Sequence, residues 1–101
     1  MATYAEIFDI KSNAALRNKV AVACVVKAQG LIDEATPTNN EVAWANAAIL
    51  NPVSMADKIM NYVLAANKSA TKSQIESASD ATIQTNVDAA IDKLIAGGIV
   101  S

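Results

Sequence analysis

Histidine is missing altogether from this 101-residue chain, and with it the commonest general base and metal ligand at neutral pH. Cysteine occurs once, as Cys24, so no intrachain disulfide can form and no Cys–His couple can activate a thiol. Gly30, Gly97 and Gly98 are the only glycines, too few and too scattered for a phosphate-cradling loop. Aromatic residues are scarce as well: Tyr4, Phe8, Trp44 and Tyr62 are the whole set, which leaves the core to aliphatic side chains. Charged residues make up 18%, against a typical share of about 25%. With a net charge of −2 and no run of Lys or Arg, the chain offers no general nucleic-acid surface. Its densest basic group, Arg17 and Lys19 with Lys11 nearby, has the pattern of a solvated helix edge. No stretch reaches the roughly 18 consecutive apolar residues of a membrane span. The first ten residues carry Glu6 and Asp9 and no basic-then-apolar leader pattern, which points to residence in a reducing cytoplasm. No cofactor, no metal, no membrane and no sequence-specific nucleic acid are therefore expected as partners.

Apolar bulk is what the chain has. Hydrophobic residues make up 52%, much of it alanine, which packs elements closely but buries little area. The stretch KVAVACVV, Lys19 to Val26, places seven apolar residues in succession. A length of 101 residues suits a single domain spanning 1–101.

Punctuation along the chain is helical. Thr3 is a candidate cap for a short helix with Tyr4, Ile7 and Phe8 on one face. Ser12 or Asn13 starts a longer helix from about Ala14 to Glu34, on which Leu16, Val20, Cys24, Lys27 and Leu31 trace one stripe. Val22, Val25 and Ile32 lie off that stripe, so the middle of the helix is apolar nearly all round. A strand is the alternative for the Val-rich run, but the flanks NAALRN and KAQGLIDEA are helix formers without a turn residue beside it. Thr38 and Glu41 have capping-box spacing, and the helix they open shows Val42, Ala45 and Ile49 on one face with Trp44 and Ala48 beside it. Asn51-Pro52 ends that helix near Leu50 and begins the next, with the stripe Met55, Ile59, Val63 and Ala66 widened by Met60 and Tyr62. Asn67 is expected to close it in a left-handed conformation. Thr71 and Gln74 repeat the capping box over about one turn. Ser79 then caps a final helix with Ile83, Val87, Ala90, Ile91 and Leu94 as its apolar stripe, ending at Gly97 before a short apolar tail. The fold class is all-α: a compact bundle of five or six short helices.

Candidate chemistry is confined to carboxylates. Asp88 and Asp92 sit at i, i+4 and could in principle share a site, but the pattern places them opposite the Ile83–Leu94 stripe, as solvated charges. Asp33 and Glu34 are adjacent at a helix end and do not converge on one ion. Cys24 has apolar neighbours and the character of a small hydrophobe. No catalytic, cofactor-binding or metal-binding residue is assigned, and turnover chemistry is not expected.

Association accounts for the apolar excess. A helix buried on one side by its own bundle and apolar on another suits a homo-oligomeric contact, since obligate interfaces resemble a domain core cut in half. Val20, Val22, Val25, Val26 and Trp44 are the candidate interface residues. Trp44 is open to two readings, an interface anchor or the packing centre of an aromatic-poor core.

The segments MATYAEIFDI, LRNKVAVACVV, VAWANAAI, YVLAANKSATKSQI and SASDATIQTNVDAAID, in this order over most of the chain, resemble short proteins encoded among the structural genes of tailed bacteriophages. These motifs are packing patterns without diagnostic chemistry, so no residue role follows from them. The resemblance implies a virion component assembled in the host bacterial cytoplasm: a homo-oligomeric head–tail connector or neck subunit contacting portal, connector or capsid proteins. A capsid- or tail-associated accessory protein and a soluble helical adaptor are the alternatives.

Overall fold

A computed structural model of the chain describes residues 4–67 and 69–97. Thr3, Gly98 and the apolar tail after it lie outside the described residues, as do the side chains of Tyr4 and Ala66. Six helices follow one another: α1 (Tyr4–Lys11), α2 (Ala14–Ile32), α3 (Asn39–Leu50), α4 (Pro52–Ala66), α5 (Lys72–Glu76) and α6 (Asp80–Ala96). No strand occurs among the described residues, and Val20 to Val26 are helical.

The starts of α2 to α6 are built by residues that the sequence marks, with Asn13 and not Ser12 capping α2. Asn13 Oδ1 accepts from the Leu16 amide at 3.0 Å. The Thr38 hydroxyl accepts from the Glu41 amide at 3.2 Å while the Glu41 carboxylate accepts from the Thr38 amide at 2.8 Å. The same reciprocal pair joins Thr71 and Gln74 at 3.2 and 2.9 Å. Asn51 and Ser79 accept from the amides of Ser54 and Thr82 at 3.3 and 3.2 Å, with Pro52 opening α4. These bonds satisfy amides that have no partner within the helix, worth about 1 kcal/mol for each cap. Asn67 closes α4 without the left-handed turn: its φ is −111° and ψ 31°. Its side-chain Nδ2 donates to the Val63 carbonyl at 2.8 Å, which covers the helix end by another route.

α2 is the hub, in contact with α1, α3, α4 and α6. Its buried side carries Leu16, Val20, Ala21, Ala23, Cys24, Ala28 and Leu31. Ala23 and Ala28, with Ala45 and Ala48 on α3 and Ala90 on α6, are buried small residues that let helix backbones approach closely. Met55, Ile59, Met60 and Val63 of α4 and the Ile83–Leu94 stripe of α6 complete the core. No polar or charged residue is buried among those described.

Three faces differ from their periodicity. α1 buries Ile10, while Ile7 and Phe8 are 37% and 69% exposed; a two-turn helix meets the bundle over too short a length to cover its whole apolar face. α3 buries Trp44, Ala45 and Ala48, leaving Val42 and Ile49 partly exposed. Burial of the indole, the largest apolar surface available, sets the rotation of that helix, and the alanines bring it close. Tyr62 stands on the exposed side of α4.

Candidate functional site

The five candidate interface residues fall on both sides of the bundle's skin. Val20 is 2% exposed and Trp44 1%, so both face the chain's own core, and Trp44 is a packing centre of the bundle. Val25 is half-buried at the margin. Val22 and Val26 point outward, 64% and 54% exposed. The surface that the apolar run offers to a partner is thus Val22 and Val26 with part of Val25. Gly30 shares that outer face at the next i+4 position, and Lys19 and Asp33 flank it, all exposed. Sequence periodicity had no means to single out Gly30, which looks like an ordinary helix-end residue until the face is known.

The side chains along the α2–α6 seam are more engaged than their spacing suggested. Asp92 does not stand opposite the apolar stripe as a lone solvated charge: it pairs with Lys27 Nζ at 3.0 Å. Asp88 is half-buried and accepts from Gln84 Nε2 at 2.8 Å, and the same amide group donates to the Ala23 carbonyl at 3.0 Å. Asp92 therefore ties α6 to α2 directly, while Asp88 holds the Gln84 amide that reaches α2. Lys19 reaches Asp80 at 3.8 Å across the same seam, with both groups largely wet. On the opposite flank Arg17 pairs with Asp57 at 3.1 Å and donates to the Lys11 carbonyl at 2.8 Å. Asp33 is exposed and accepts from Gln29 at 3.1 Å.

Cys24 lies in the core with 0% exposure. Burial pushes its thiol up to about 12, with the neighbouring Asp88 carboxylate adding to the effect, so the sulfur stays a neutral thiol at physiological pH. Among the described residues no three His, Cys, Asp or Glu side chains converge as a metal site would require. No helix among them is long and apolar enough to cross a membrane.

Two of the concave features beside α2 border its apolar run. One, of about 230 Å³, opens between α2, α4, α5 and α6 over Leu16, Val20 and Met60, with Asn67, Gln74 and Asn86 at its uncharged rim. The other is a shallower cleft of about 300 Å³ between α2 and the start of α6, bordered by Lys19, Val22, Ala23, Asp80, Ile83 and Gln84. It carries no paired titratable groups beyond Lys19 and Asp80, and it continues the outer face of α2 sideways.

The described residues form an all-α bundle of six helices whose hub helix presents an apolar strip outward. No protein-family model matches this chain, and neither does any curated protein or solved structure.

Proposed function

We propose that the protein is a structural subunit of a tailed-bacteriophage particle, acting through protein–protein contacts in a homo-oligomeric assembly at the head–tail neck. The observation that carries the contact reading is the exposure of Val22 and Val26 on the hub helix, a solvent-facing apolar strip on a core element. The resemblance of its sequence segments to short phage structural proteins supports the narrower setting. In this reading the rest of the molecule is scaffold: the capped helices hold α2 rigid, and the Lys27–Asp92 ion pair keeps its outer face presented.

The test is a particle-assembly assay with mass measurement of the purified subunit. Val22→Asp and Val26→Asp leave helicity unchanged, because both positions already meet water, yet they abolish assembly, since an unpaired charge buried at a contact costs several kcal/mol. Particles that assemble and infect normally with both substitutions present would rule the reading out.

A further inference from the structure

We propose that two copies of the chain pair through the outer face of α2, antiparallel, about a two-fold axis beside Val26. This rests on the protein-contact reading above and adds to it the partner, the orientation and the register.

Gly30 is the starting observation. It lies inside α2, which continues to Ile32 and closes at Asp33 in an ordinary right-handed conformation, φ −77° and ψ −7°. A Cβ built on Gly30 would meet nothing within 4 Å, so no contact inside the subunit calls for glycine there. Glycine is the least favourable helix residue short of proline. A neighbouring chain packed closely on that spot supplies the missing reason.

Val22, Val26 and Gly30 follow one another at intervals of four along one face: two protruding side chains and then a gap. A two-fold axis at Val26 sets residues equally distant before and after it opposite each other. Val26 then meets Val26 of the second copy, and each Val22 enters the gap over the other copy's Gly30. Lys19, seven residues before the axis, faces Asp33, seven residues after it, and the symmetry makes this ion pair twice. A parallel pairing would instead set Lys19 on Lys19 and Asp33 on Asp33, so the charges select the antiparallel arrangement, as do the helix dipoles.

Both charges are available for this. Lys19 is half exposed, and its contact with Asp80 is long, 3.8 Å, to a carboxylate that is itself 89% exposed; Asp33 is exposed and accepts from the neutral Gln29. The face from Lys19 to Asp33 runs about 21 Å at the helical rise. The cleft beside Lys19, Val22 and Ile83 lies where the second copy's Gly30–Asp33 end arrives. The contact is isologous, each subunit giving and receiving the same groups, and it closes at two.

The experiment uses the whole chain, measured by light scattering and by cysteine cross-linking. The wild type has twice the monomer mass at high concentration. Lys19→Glu or Asp33→Lys alone weakens dimerisation about tenfold or more, and the double variant carrying both restores it to within about threefold of wild type. Under a mild thiol oxidant Val26→Cys cross-links to itself. Val22→Cys does so only when mixed with Gly30→Cys, while Cys24 stays reduced inside the core. A double charge variant no stronger than either single one would overturn the proposal, as would Val22→Cys cross-linking to itself as fast as Val26→Cys. A monomeric wild type, with Val22→Asp and Val26→Asp still blocking particle assembly, would remove the two-fold while leaving the contact reading of the face intact.

Discussion

Alkaline pH should weaken this protein through Cys24. The thiol is wholly enclosed, and burial first, the Asp88 carboxylate second, raise it from an ordinary 9.0 to about 12. Below pH 9 neither the folded nor the unfolded chain releases this proton, and the contribution to stability is fully present. Between 9 and about 12 the unfolded chain loses the proton while the folded chain keeps it, so stability falls as pH rises. The slope is about 1.4 kcal/mol per pH unit, and the whole passage amounts to about 4 kcal/mol. Against a total stability of roughly 5–15 kcal/mol for a domain, this is a large share. The assay is urea unfolding at pH 8 and pH 10 for the wild type and Cys24→Ala. The two proteins differ in no other ionisable group, so the difference between them isolates the thiol. The alanine variant is weaker at pH 8 because it leaves a small cavity, and its deficit shrinks by about 1.4 kcal/mol at pH 10. A thiol reagent at pH 8 should modify Cys24 only at the rate at which the chain opens. Equal pH dependence in the two proteins, or modification of the folded protein at the rate of a free cysteine, would refute the reasoning.

Trp44→Ala should cost about 3–5 kcal/mol in chemical denaturation, since the indole fills the centre of the bundle. Trp44→Phe should cost under about 1.5 kcal/mol, because the buried indole N–H finds no acceptor among the described residues and no hydrogen bond is lost; equal costs for the two would refute this account. Asn13 Nδ2 donates to Glu76 at 2.7 Å and holds that carboxyl below its usual range, so its contribution is present above the ordinary glutamate value and fades as pH falls through the lowered one. Melting temperatures at pH 7 and pH 3 should therefore differ less for Glu76→Gln than for the wild type, and an unchanged difference would show that the bond contributes nothing.

Helix starts were legible because their chemistry is local. The bonds made by Thr38, Asn51, Thr71 and Ser79 span three residues, and each follows from side chains that stand within one turn of one another. The α6 stripe was legible for a related reason: polar residues separate its apolar positions, so only one rotation of the helix buries them together. α3 had no such marker. From Val42 to Leu50 only Asn46 is polar, and the face it buries was decided by where the indole of Trp44 found room. The candidate surface stands between these cases. The apolar run pointed to α2 and its stripe separated Val20 from Val22, but with apolar residues on nearly all sides only the neighbouring helices decided which side became core.

By itself the sequence determined the helical type of the elements, where α3 to α6 begin, and the poverty of catalytic groups. All of these depend on residue identity or on bonds between near neighbours in the chain. Only the tertiary structure decided that Trp44 and Val20 face inward and Val22 and Val26 outward, that Asp92 braces Lys27, and that Gln84 reaches the Ala23 carbonyl 61 residues away. Those outcomes depend on which distant helices cover α2. Periodicity marks an apolar face, but the neighbours that turn it into core or leave it as surface come from elsewhere in the chain.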